Sequence, residues 1–127
     1  MRDFRRLYVW QQAHALTLAV YAASSDVPRT GYPGLVTQLR RAAAAIPTNI
    51  AEGCGHSSRK EFARFLQVAV ASSVETEYHL QLCLDLGVMD APGTSSLIAD
   101  TTRVRRQLAS LLAKVRNELP NSPPRAV

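Results

Sequence analysis

Residues 58–87, SRKEFARFLQVAVASSVETEYHLQLCLDLG, decide the fold class. Ser58 and Glu61 form an S-x-x-E capping box, in which the serine oxygen and the glutamate satisfy backbone N–H groups at a helix start. Behind it Phe62, Leu66, Ala69, Ser73, Thr76, Leu80 and Cys83 recur in steps of 4, 3, 4, 3, 4 and 3. Such a period is the seam of a helix packed at a shallow angle against other helices. Gly87 ends the run, because glycine adopts the left-handed closing conformation without steric cost.

Three more segments read the same way. Downstream, Asp90-Ala91-Pro92-Gly93 is a turn, and Thr94 or Ser95 is the expected cap of a fourth helix. Its seam is Leu97, Thr101, Val104, Leu108, Leu111 and Val115. Upstream, Pro33 suits the first turn of a second helix with Leu35, Leu39, Ala42, Ala43 and Ile46 on its apolar side. Pro47 then removes a hydrogen bond to the carbonyl of Ala43 and clashes there, which predicts a kink. The pattern resumes with Ile50 and Ala51 and closes at Gly53, read as a left-handed cap. The first helix carries Leu7, Trp10, Ala13, Leu16 and Val20 and stops at Asp26-Val27-Pro28, since a residue before proline leaves the α region. The expectation is an all-α, antiparallel up-down-up-down four-helix bundle with helices at about 3–24, 33–53, 58–87 and 94–118. Short connections favour antiparallel neighbours. Residues 1–118 form the bundle, and the proline-rich residues 119–127 a flexible tail.

Composition agrees. Alanine and leucine dominate the apolar residues, which favours helix over sheet. The formal charge of +5 comes from 15 basic and 10 acidic residues, and most of the basic ones are arginine, suited to forked contacts with phosphate or carboxylate. No stretch approaches the ~18 uninterrupted apolar residues of a membrane span, and the N-terminus has no signal-peptide h-region. A cytoplasmic location is expected. Cys54 and Cys83 lack CxxC or zinc-ligand spacing and are expected to be free thiols.

The third helix is greasier than one buried face requires. Val68, Ala71, Leu82 and Leu86 fall on the side away from the seam, and a helix apolar on two faces is normally covered on two faces. Self-association through this second strip is the expectation.

Part of the chain resembles a known family, the four-helix bundle proteins encoded within intervening sequences of bacterial 23S ribosomal RNA genes and by free-standing relatives. The carrying residues are Gln38-Leu39-Arg40-Arg41-Ala42, then Ile46-Pro47-Thr48-Asn49-Ile50-Ala51-Glu52-Gly53, then Ser58-Arg59-Lys60-Glu61-Phe62-Ala63-Arg64-Phe65-Leu66. Leu7, Trp10, Gln11, Ala13 and Leu86-Gly87 extend the likeness to about residues 4–116. Ala45, His56, Ala71 and Thr76 depart from the family's usual serine, arginine, glycine and leucine. The resemblance implies a closed bundle and a ring of five subunits. A related branch, accessory proteins of diversity-generating retroelements, binds nucleic acid and a reverse transcriptase.

Three groups of polar residues are candidates for a site. Arg41, Asn49 and Glu52 share one side of helix two around Pro47. They are expected to form a structural network, with Arg41 or Asn49 serving the carbonyls freed by the proline and Glu52 paired to an arginine; the competing reading is a recognition pocket. The second group is the basic residues Arg5, Arg6, Arg40, Arg59, Lys60, Arg64, Arg103, Arg105, Arg106, Lys114 and Arg116. Either they are a solvated surface or they bind phosphate. Arg59 and Lys60 sit against the dipole at a helix N-terminus, which favours an anionic partner. Few aromatic residues are expected at the surface, so backbone contact outweighs base reading. The third group, Glu75, Glu77 and His79, lacks the paired Glu-x-x-His motifs of a di-metal bundle and is read as surface or interface.

No cofactor, catalytic residue or metal site is expected. Cys54 near His56 has no orienting third group. The expected function is that of a non-catalytic, oligomeric scaffold or accessory factor, a homo-oligomer and by resemblance a pentamer, binding RNA or DNA through arginine-lined faces. The runner-up is a protein-binding adaptor without nucleic acid, and a metal-binding bundle enzyme is the distant alternative.

Overall fold

The structure, a computed structural model, describes residues 2–28 and 30–120. They form a 3-10 turn at Phe4–Arg6 and four helices, α1 (Tyr8–Ala23), α2 (Leu35–Cys54), α3 (Arg59–Leu86) and α4 (Ala91–Asn117), with no strand among the described residues. Each helix packs on its neighbours in sequence, and α4 also packs on α1. The α2–α3 interface is the most extensive and the α1–α4 interface the least. The expected tail lies outside the described residues from 121 onward.

Every member of the α3 seam, from Phe62 to Cys83, is buried. Leu39, Ile46, Ile50, Leu66, Leu80 and Leu108 are fully buried around it, each contributing about 1.5–3 kcal/mol of hydrophobic stabilisation. The polar seam positions cost little because their own helices satisfy them. Thr76 Oγ1 donates to Ser72 O at 2.8 Å and Thr101 Oγ1 to Leu97 O at 2.7 Å. Ser58 Oγ accepts from Glu61 N at 3.3 Å, and Gly87 closes α3 at φ 68°.

Several element ends differ from the sequence expectation, each for a local reason. The segment from Asp3 is not continuous helix. Asp3 Oδ1 caps the 3-10 turn by accepting from Arg5 N, and Leu7 is extended (φ −76°, ψ 125°), so α1 starts only at Tyr8. Gly34, at φ 82°, precedes α2, which leaves Pro33 outside the helix. α4 starts at Ala91, ahead of Thr94 and Ser95, because Asp90 Oδ2 accepts from Gly93 N at 2.8 Å. Pro92 fits that first turn, where no N–H is needed. Thr94 is buried instead of capping, and Leu112 rather than Leu111 takes the next buried position on the α4 seam.

Gly53 is no left-handed cap. It lies inside α2, which runs without a break through Pro47 to Cys54. A Cβ at Gly53 would stand 2.9 Å from Phe62 Cδ1 and 3.0 Å from Phe65 Cβ. Glycine is needed here for the close approach of α2 to α3.

The carbonyls around Pro47 are served by three side chains, of which Asn49 is one of the expected residues. Thr17 Oγ1 of α1 reaches Ala43 O at 3.1 Å. Thr48 Oγ1 donates to Ala44 O and Asn49 Nδ2 to Ala45 O, both at 2.8 Å. Arg41 and Glu52 are exposed, and no hydrogen bond or ion pair among the described residues joins them to each other or to Asn49. Of the three, Asn49 serves a carbonyl beside the proline, whereas Arg41 and Glu52 lie exposed and apart from it.

Candidate nucleic-acid interface

Four contacts between residues distant in sequence bring the chain start, the end of α2, the start of α3 and the end of α4 to one end of the bundle. Arg2 N donates to Cys54 O at 3.2 Å, and its guanidinium lies 4.4 Å from the centre of the Phe62 ring. Arg59 pairs with Glu118. Arg116 Nη2 donates to Gln67 Oε1 at 2.9 Å. Leu7, Tyr8 and Val9 face Arg106, Gln107, Ser110 and Leu111 across a groove of about 450 Å³.

This folding segregates charge. The end just defined carries nine cations, Arg2, Arg5, Arg6, Arg59, Lys60, Arg64, Arg106, Lys114 and Arg116, against four carboxylates, Asp3, Glu52, Glu61 and Glu118. At the other end the described residues include Asp26, Asp85 and Asp90 beside Arg40. A field concentrated at one end steers a polyanion far better than the same charge spread evenly.

The eleven expected basic residues divide by what they touch. The side chains of Arg6, Lys60, Arg106 and Lys114 are exposed and make no hydrogen bond, ion pair or ring contact among the described residues. Arg5 meets Asp3 at 3.5 Å, Arg64 meets Glu61 at 3.1 Å, and Arg103 meets Asp100 at 2.8 Å. These pairs are exposed and solvent-screened, so they are weak and exchange readily for phosphate. Arg64 holds the Glu61 carboxyl below its usual range, chiefly through the hydrogen bond between them. Arg105 is half-buried against Glu77 at 2.6 Å, with Thr102 Oγ1 on the same oxygen at 3.3 Å. Arg40 is half-buried and engaged with α1. Its Nε donates to Ser24 Oγ at 2.9 Å and its Nη2 to Tyr21 O at 3.0 Å, with the guanidinium over the Tyr21 ring. It clamps α2 to α1 rather than joining the basic end.

Surface aromatic residues are more numerous than the sequence suggested. Tyr8 is 63% exposed and Tyr78 61%. Tyr8 borders the groove at the basic end. The signal was present, since Tyr8 falls outside the apolar stripe of Leu7, Trp10 and Ala13. Of the expected α3 strip, Val68, Ala71 and Leu86 are exposed, whereas Leu82 is half-buried against the core. Exposed Val74 and Tyr78 extend the strip; helical spacing from Ala71 places both beside it.

His79 Nε2 lies 3.6 Å from Glu75 Oε1, and no group of three or more His, Cys, Asp or Glu among the described residues could hold a metal. Both cysteines are buried and free. Burial pushes their thiols above the ordinary value, with Arg2 opposing the effect at Cys54. That is the reverse of an activated nucleophile. No helix among the described residues is long and apolar enough to cross a membrane.

No curated protein matches the chain. A crystal structure of a protein of unknown function from the S23 ribosomal protein family of Bacteroides thetaiotaomicron is similar in fold. It superposes with a TM-score of 0.76 at 22% identity, covering 82% of this chain and 97% of that one. The family model of the 23S rRNA-intervening sequence protein matches residues 5–110. With that match spanning α1, α2, α3 and most of α4, the chain belongs to the 23S rRNA-intervening sequence protein family.

Proposed function

We propose that this protein is a non-catalytic, oligomeric scaffold that binds RNA or DNA by its phosphate backbone through the basic end of the bundle. The observation that carries the reading is the segregation of nine cations against four carboxylates at one end. Four of those cations have no partner among the described residues, so they meet phosphate without first breaking an ion pair. The family takes its name from intervening sequences of 23S rRNA, which makes structured RNA the first polyanion to try. The exposed strip of α3 supports self-association, which would repeat the basic end once per subunit.

The test is fluorescence anisotropy of labelled structured RNA and single-stranded DNA at two salt concentrations. Affinity should fall steeply with salt, with a slope of roughly 0.7–0.9 per phosphate neutralised. Reversing the four unpartnered cations (R6E, K60E, R106E and K114E together) should abolish binding. Reversing Arg40, which is directed at α1, should leave the salt slope unchanged. Absence of binding to either nucleic acid at low salt would overturn the proposal.

A further inference from the structure

We infer that the groove between the start of α1 and the later part of α4 holds one unpaired nucleotide, its base stacked on Tyr8 and its phosphates on Arg6 and Arg106. The inference rests on the nucleic-acid reading above and narrows it to single-stranded segments. Tyr8 is the most exposed large hydrophobic side chain among the described residues, at 63%. It borders a shallow, open groove of about 450 Å³ whose walls include Leu7, Val9 and Leu111. An apolar groove beside exposed cations matches a nucleotide, which is flat and apolar on its faces and anionic at its phosphate. Arg106 lines the groove and Arg6 adjoins it in sequence; neither has a partner among the described residues.

A second observation points to the same place. Gln107 lines this groove and also the adjoining cleft between α1 and α4, and its side-chain oxygen is buried without a donor among the described residues. Buried polar atoms nearly always have a partner. A base brings amino or imino donors to its edge, and rotation of the Gln107 amide would present the oxygen to them. A duplex keeps its bases stacked and its edges paired, so it offers the groove only phosphate.

The test compares a single-stranded oligonucleotide containing 2-aminopurine with a blunt duplex of the same sequence, both titrated with wild type, Y8F, Y8A and R106A. Stacking on an aromatic side chain contributes about 1–3 kcal/mol per base, so Y8A should weaken single-strand binding roughly 5- to 150-fold. The same variant should leave duplex affinity and salt slope unchanged and lose the 2-aminopurine quenching seen with wild type and Y8F. R106A should weaken both ligands. Single-strand binding by Y8A equal to wild type would overturn the stacking site while leaving the phosphate reading intact. A change of sedimentation mass in Y8A would overturn it too, by assigning Tyr8 to a subunit interface. Failure of wild type to bind either ligand would overturn both readings.

Discussion

The hydroxyl of Thr17 in α1 lies 3.1 Å from the carbonyl oxygen of Ala43 in α2, the acceptor that Pro47 leaves without its backbone donor. A proline in a helix interior is costly chiefly because of that orphaned carbonyl and the clash of the ring. Here a side chain from the neighbouring helix meets the first cost. The same hydroxyl also lies 2.9 Å from Ala13 O, an ordinary back-bond within α1. One proton is thus shared between a carbonyl that needs it and one that does not.

Removing that hydroxyl exposes the debt. Thr17→Val keeps the shape of a buried side chain but leaves Ala43 O unsatisfied, so it should destabilise the fold by about 1–3 kcal/mol. In a Pro47→Ala background residue 47 regains its N–H, and Thr17→Val should then cost measurably less. Urea denaturation of the two single variants and the double variant gives the coupling. Equal costs of Thr17→Val in both backgrounds would show that the hydroxyl does not serve the proline.

Gly53 makes a second prediction, opposite to what helix propensity suggests. Alanine inside a helix is favoured over glycine by about 1 kcal/mol. At position 53, however, its methyl would press on Phe62 Cδ1 at 2.9 Å and on Phe65 Cβ at 3.0 Å. Overpacking of this kind costs about 1–3 kcal/mol, so Gly53→Ala should lower the denaturation midpoint. Phe62→Leu, which retracts the ring, should reduce the penalty of the second substitution although it is destabilising alone.

These two positions show what was legible in the sequence. The α3 seam could be read residue by residue because a strict alternation of 4 and 3 has one helical solution. Gly53 could not, because a glycine near a helix end looks the same whether it turns the chain or admits a ring from another helix. Thr17 was out of reach for the same reason, since its partner is 26 residues away. Asp90 is legible as well, because an acidic residue two before Pro92 is a cap signal. At the basic end the residue types were visible, but which cations stay unpaired depends on where Asp3, Glu61 and Glu118 fall in space. Only the fold supplies that.

The thiols predict a pH dependence. Burial raises Cys54 and Cys83 above the ordinary value of 9.0, so the folded chain holds these protons more tightly than the unfolded one. The stability they contribute is complete below the unfolded thiol pKa and is lost as pH rises through it toward the folded value. The Tm should therefore be level near neutrality and fall above about pH 9. Cys54→Ala with Cys83→Ala should be less stable overall but show a shallower alkaline decline. An identical slope in the two proteins would remove the thiols as its cause.

The exposed strip on α3 makes the last prediction. Val74 and Tyr78, 53% and 61% exposed, add to Val68, Ala71 and Leu86 to give a helix apolar on the side away from its own seam. A surface of this kind is stable in water when another surface covers it. Wild-type protein should sediment at a multiple of 13.9 kDa at micromolar concentration, and Val74→Glu with Tyr78→Glu should sediment as a monomer with unchanged helix content. A monomeric wild type would remove the interface. Self-association also bears on binding, because each added subunit brings another basic end to the same strand. Linked sites gain affinity without new contacts when one ligand spans them. The dissociated variant should therefore lose far more affinity for a long RNA than for an oligonucleotide that fits a single subunit. Equal losses on the two ligands would mean that the α3 strip itself touches nucleic acid.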